Sequence, residues 1–240
     1  MNRSSAGVLK REFESRIFIS LGIVATGCLI CAVLFRGSPS LLEIIGRAAG
    51  FRDTASREGG YLFLAVAMAA LSVFRMWAGS ALTPRRVMAF KVQTDCLRTS
   101  GPYLLVRNPI YLADYCAMCG FALCLPPAGL LIPVLFLLHY LRLIRYEEES
   151  LGSGFGDDYR RFLGSVPRLF PNTSSLRALP SAFRDFRITA EGFRHNALYV
   201  LFVPGFVVAA LRGEFLPAAL IGLPGVIDWA VVHTRIGVRP

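Results

Sequence analysis

Three short stretches of this 240-residue chain hold residue types that do chemistry, and each sits at the edge of an apolar run. The first is Thr99-Ser-Gly-Pro-Tyr103 followed by Arg107-Asn-Pro-Ile-Tyr111. Pro102 and Pro109 disfavour helix at the residue before each of them, and each is itself suited to open a helix. They predict a rigid, non-helical lead-in that presents Arg107, Asn108 and two tyrosines at a helix start. The second is Arg142-Leu-Ile-Arg145-Tyr-Glu147-Glu148-Glu149-Ser-Leu151, with consecutive acids beside arginines. The third runs Phe155-Gly-Asp-Asp-Tyr159-Arg-Arg-Phe162 and then Val166-Pro-Arg-Leu-Phe-Pro171, which reads as a helix and a proline-locked return. A guanidinium such as Arg107 or Arg145 grips a carboxylate through two parallel hydrogen bonds. Carboxylates such as Glu147 and Glu148 accept from an ammonium or a sugar hydroxyl. The plainer readings are an interfacial anchor for the Arg–Tyr pieces and a charged helix terminus for the acids.

The elements that position these groups are apolar. Hydrophobic residues make up 54% of the chain, charged residues 18%, and the mean hydropathy is +0.52. Soluble domains run at about 45–50% apolar and about 25% charged. The excess is clustered: residues 17–35 carry no charge, and residues 61–82 carry only Arg75. A bilayer-spanning helix needs about 20 such residues. This composition excludes a disordered chain, a disulfide scaffold and an ordinary soluble enzyme. It predicts an all-α polytopic membrane protein of about six spans: 17–35, 61–82, 110–125, 128–145, 197–211 and 215–233. The first run is longer than the about 7–15 residues of a signal-peptide core, so it is expected to be retained. Pro126-Pro127 forces a turn between the third and fourth spans, predicting a short helical hairpin. Gly152-Ser-Gly-Phe-Gly156 reads as a glycine-rich turn.

Charge sets the expected orientation. The net charge of +10 comes almost entirely from arginine. Arg85, Arg86, Lys91, Arg98 and Arg107 face one acid, Asp95, in the segment 84–108, and the segment 142–196 is also arginine-rich. Loops of this kind belong on the inner face of the membrane. An even number of spans then puts both termini and a polar, cofactor-binding layer on the cytoplasmic side, as in a bacterial inner-membrane protein. An anionic inner leaflet accounts for the basic balance, so nucleic acid is not an expected partner. Cys28-x-x-Cys31 and Cys116-x-x-Cys119 fall inside apolar helical stretches without a nearby His, so they read as packing residues and no metal is expected.

The order of motifs resembles the integral-membrane methyltransferases, a superfamily that includes isoprenylcysteine carboxyl methyltransferases and phospholipid N-methyltransferases. The resemblance rests on Thr-Ser-Gly-Pro-Tyr-x-x-x-Arg-Asn-Pro-x-Tyr-Leu, a helical hairpin, Glu-Glu-x-x-Leu, Phe-Gly-x-x-Tyr and Val-Pro-Arg, in that order. Arg75-Met-Trp77-Ala-Gly-Ser-Ala-Leu82 is similar to the bacterial isoprenylcysteine methyltransferase-like branch. The likeness covers roughly residues 70–171. It suggests a methyltransferase core at 61–171, between an N-terminal helix and loop at 1–60 and a C-terminal segment with a hairpin at 172–240.

The resemblance implies S-adenosylmethionine (AdoMet) as methyl donor, held at the cytoplasmic ends of the third and fourth spans. It implies Arg107 and Glu148 as catalytic residues. Tyr103, Asn108, Pro109, Tyr111, His139, Arg145 and Glu147 would join them in binding the donor. Arg75, Trp77 and Asp114 would line the acceptor pocket. Many relatives carry His where this chain has Asn108, and Asn does not act as a base near neutral pH, so no proton transfer falls to it. His139 and the glutamates are the candidate bases for an amine acceptor, whereas a carboxylate acceptor needs none. The branch similarity favours isoprenylcysteine carboxyl O-methylation. A phospholipid amine, another lipid-linked acceptor, a catalytically silent scaffold and a transporter stand as alternatives.

Overall fold

The computed structural model describes residues 3–82 and 99–237. Arg85, Arg86, Lys91, Asp95 and Arg98, which entered the orientation argument, lie outside the described residues.

Two helices precede the region of resemblance. Helix α1 spans Arg3–Glu14 and α2 spans Arg16–Leu34. Leu9, Phe13 and Ile17 recur every four residues, which puts them on one helix face, and all are buried. Phe13 and Tyr146 pack with ring centroids 5.3 Å apart. The opposite face of α2 is apolar and exposed at Phe18, Leu29 and Val33, as a lipid-facing surface must be.

Helix α3, Leu41–Ala48, begins with a capping box. The Ser40 hydroxyl accepts from Glu43 N, and the Glu43 carboxylate accepts from Ser40 N at 2.7 Å. Helix α4 spans Asp53–Ser80 and is the central element. The N-terminal half of α4 packs on α3, where Gly46 leaves room for Ser56 and Gly60 for Leu42.

Pro109 opens α5, Pro109–Leu123, with Pro102 in the preceding 3-10 turn Gly101–Leu104. Pro126 and Pro127 turn the chain into α6, Leu131–Ser165, through a short 3-10 turn. The glycine-rich stretch 152–156 is helical except at Gly156, which breaks α6 with φ 56° and ψ −123°. That left-handed conformation excludes almost any other residue, so one glycine rather than a turn of five residues redirects the chain. Beyond it, Val166 is extended and the proline-rich return begins.

The C-terminal part contains three short helices: α7 (Thr173–Leu176), α8 (Leu179–Arg184) and α9 (Ala190–Asn196). Helix α10, Phe202–Arg212, ends in left-handed Gly213, and α11, Leu216–Gly237, follows. The expected fifth span, 197–211, becomes α-helical only from Phe202. Among the described residues, three helices are long and apolar enough to cross a membrane: Arg16–Leu34, Asp53–Ser80 and Pro127–Asp157. The apolar stretches Pro109–Leu123, Phe202–Arg212 and Leu216–Val232 are shorter. At about 1.5 Å per residue, α5 rises about 22 Å, less than the hydrocarbon thickness of about 30 Å.

Helix α4 packs against both α5 and α10. Tyr61, Leu64, Ala65 and Met68 of α4 pack against Phe202, Phe206, Ala209 and Ala210, with Ala117 of α5 in the same cluster. A second cluster joins Phe13, Phe136, Tyr140 and Leu143, fixing α1 and α2 against α6.

Candidate functional site

The signature residues converge where α5 begins and α6 ends. The 3-10 turn buries Tyr103, and Pro109 is fully buried at the first position of α5. This lead-in is pinned from the far side of the sequence: Arg107 N donates to Pro167 O at 2.9 Å, and Asn108 Nδ2 donates to Arg168 O at 2.9 Å. The proline-locked return therefore lies along the lead-in.

Arg107 is the hub. Its Nε and Nη2 donate to Glu148 Oε1 at 3.0 and 2.8 Å. Its Nη1 donates to the carbonyls of Leu163 and Val166 at 2.7 and 3.0 Å. The last carbonyls of a helix have no partner within it, so Arg107 caps the C-terminus of α6, where a cation is also favoured by the helix dipole. Glu148 Oε2 is held by Arg168 Nη2 at 2.7 Å. Both oxygens of Glu148 and most donors of Arg107 are thus used inside the protein. Tyr159 is buried beside them, and loss of hydration, reinforced by the Glu148 charge, pushes its phenol up. It stays a neutral hydrogen-bonding group.

The next acid is placed differently. Tyr111, in the first turn of α5, donates its hydroxyl hydrogen to Glu147 Oε1 at 2.8 Å. The Tyr111 ring rests against Tyr140 of α6 at 4.8 Å. A carboxylate held in this way by a neutral phenol is a group type that accepts from an ammonium or a ribose hydroxyl.

Arg75 and Asp114 form a second, buried pair, and Trp77 packs separately. Arg75 Nε donates to Asp114 Oδ1 at 2.7 Å, linking α4 to α5 inside the apolar region. Trp77 is covered by Phe183, stacked at 4.9 Å, and by the edge of Phe186 at 5.3 Å. The remaining two lie elsewhere. His139 Nδ1 is 3.0 Å from Glu12 Oε1, and Arg142 Nε donates to Glu12 Oε2 at 2.7 Å, so α1 clasps α6 through one carboxylate. Arg145 turns outward to Glu149 at 3.1 Å.

Sequence reasoning missed Glu12, Arg168, Asn196 and Tyr199. The four-residue spacing of Leu9, Phe13 and Ile17 announces α1 and with it the placement of Glu12. Arg168 belongs to the Val-Pro-Arg motif without having been given a role, and nothing local announces Asn196 and Tyr199, whose partners are 121 and 85 positions away.

Residues 59–158 match the family model of phospholipid methyltransferases, consistent with the membrane methyltransferase superfamily that the motifs resemble. Together with the three long apolar helices, the match supports a membrane protein whose residues 59–158 are similar to phospholipid methyltransferases. A cobalt-zinc-cadmium resistance protein, CzcN, of Cupriavidus metallidurans is 27% identical over 108 residues. That stretch is 44% of this chain, and it spans less than half, 46%, of the relative. No solved structure matches the chain.

Proposed function

We propose that this chain is an AdoMet-dependent methyltransferase acting at the membrane on a lipidic or lipid-linked acceptor, with its donor site on the cytoplasmic side. The observation that carries the reading is the convergence of Arg107, Tyr111, Glu147 and Glu148 from two separated motifs where the start of α5 meets the middle of α6. The residues fit the donor: a half-buried carboxylate oriented by the Tyr111 hydroxyl suits an ammonium or ribose diol. When bound, AdoMet supplies a methyl group on a sulfonium.

The protein's part is to orient and to exclude water. Positioning of reactants is worth about 7–11 kcal/mol in favourable cases. We assign Arg107 and Glu148 to holding the lead-in, the end of α6 and the return in one frame. Glu147 with Tyr111 faces the donor, Tyr103, Asn108 and Pro109 form the adjoining wall, and Arg145 is an exposed cation two residues before Glu147 on α6. Arg75, Asp114 and Trp77 lie on the acceptor side. A polar donor then arrives from water while the acceptor arrives sideways from the bilayer.

For the acceptor, the Arg75–Trp77 motif favours an isoprenylcysteine-like carboxylate, whereas the matched family model favours a phospholipid amine. The name of the bacterial relative concerns resistance to cobalt, zinc and cadmium. Among the described residues, no group of three His, Cys, Asp or Glu residues suited to an ion occurs.

The deciding experiment is calorimetric titration of AdoMet, and of its demethylated product, into the purified full chain in detergent with added lipid. Micromolar binding that is lost in Glu147→Gln supports the reading. Labelled methyl transfer to lipid extracts and prenylcysteine analogues then identifies the acceptor. Folded protein that ignores near-millimolar donor refutes the reading in favour of a scaffold or transporter.

A further inference from the structure

Beyond the end of the family match, the chain returns to its core at one place. Asn196, the last residue of α9, accepts from Arg75 Nη1 on its Oδ1 at 3.0 Å. Three residues later, Tyr199 donates its hydroxyl hydrogen to Asp114 Oδ1 at 2.8 Å. The Arg75 guanidinium also lies over the Tyr199 ring, 6.0 Å from its centroid. The four side chains are sealed from the surface, with exposures of 1% for Arg75, 7% for Asp114, 1% for Asn196 and 2% for Tyr199.

The approach that permits this is tight. A Cβ on Gly79 would fall within 1.9 Å of Asn196 Nδ2, and one on Gly192 within 1.9 Å of Ser80 Oγ. Thr189 N adds a hydrogen bond to Ser80 Oγ at 3.0 Å. The segment from Thr189 to Ala210 thus runs along α4 from its C-terminal end back to Tyr61.

An ion pair in apolar surroundings holds only if its remaining hydrogen-bonding capacity is met. Here the pair between α4 and α5 is completed by two neutral groups from the C-terminal segment. Asp114 lies three residues after Tyr111, on the same face of α5. Whatever fixes Asp114 therefore also fixes the turn that offers Tyr111 to Glu147.

We infer that Asn196 and Tyr199 are positioning residues of the methyl-donor site, acting through Arg75 and Asp114 to set the seat of α5. The functional unit then extends past the family-matched core to include the C-terminal segment. This inference rests on the donor reading above.

The test is AdoMet affinity, measured on the folded fraction, for Tyr199→Phe and Asn196→Ala in the full chain. Tyr199→Phe keeps the ring and removes one hydrogen bond, so it is the variant expected to stay folded if Asn196→Ala does not. It should weaken AdoMet binding by about three- to tenfold, the scale of one lost hydrogen bond. In an Asp114→Asn background the same change should have little further effect, since the two residues act in series. Unchanged affinity with a lowered unfolding temperature would reduce the cluster to a brace and overturn the inference. An undiminished effect in the Asp114→Asn background would overturn it too. A parent protein that binds no AdoMet refutes the donor reading itself, which separates the two failures.

Discussion

Tyr111 donates to Glu147 across the gap between α5 and α6, and the two residues come from motifs 36 positions apart. The bond leaves Glu147 oriented by a neutral partner, while its neighbour Glu148 is held between Arg107 and Arg168. Adjacent acids in the sequence have therefore separated, one held by a phenol and one held between two guanidinium groups.

Tyr111→Phe retains the ring packed on Tyr140 and deletes only the donor to Glu147. AdoMet affinity should fall about three- to tenfold, and thermal unfolding in detergent should barely move. A large stability loss with unchanged affinity would show that the bond serves only packing.

Arg107→Ala should be the more damaging change. It uncaps the Leu163 and Val166 carbonyls and leaves Glu148 with Arg168 alone, so a loss of about 2–4 kcal/mol is expected. Arg107→Lys should recover only part of it, because an ammonium lacks the fork that reaches the carboxylate and two carbonyls together. Thermal unfolding of both variants in detergent checks this, and parental stability of Arg107→Ala would count against the hub.

Gly79→Ala places a methyl group against the Asn196 side chain. Overpacking of this kind costs about 1–3 kcal/mol, and α9 should shift from α4. Limited proteolysis between α8 and α10 should quicken in the variant; an unchanged cleavage pattern would argue against the close approach.

Glu43 supplies a pH dependence outside the spans. Burial pushes its carboxyl up, but hydrogen bonds from Ser40 N and Oγ and the Arg57 guanidinium outweigh that and hold it below the usual range. Its contribution to stability is therefore fully present above the ordinary glutamate pKa. It is lost as pH falls through the lowered folded-state value. Glu43→Gln should lower stability at neutral pH and flatten the acid limb of the unfolding curve, and an unaltered acid limb would contradict the assignment.

Cys28→Ser and Cys116→Ser should leave AdoMet binding near parental, and treatment with a chelator should do the same. Collapse of both variants would revive a metal role for the two Cys-x-x-Cys pairs.

The sequence by itself determined the local features. Uncharged runs announced α2 and α4, because an apolar solvent demands them. Pro102, Pro109, Pro126 and Pro127 announced the lead-in and the hairpin, because the pyrrolidine ring acts on its own backbone and that of its neighbour. The motif order pointed to Arg107, Tyr111, Glu147 and Glu148 together. Only the tertiary structure decided who pairs with whom. Arg107 became a cap for α6, His139 and Arg142 were drawn to Glu12, and Arg75 and Asp114 were completed by Asn196 and Tyr199. Side-chain partners over such separations depend on how helices pack, and packing is set by surfaces that distant segments present to each other. A periodicity within one helix carries no record of them.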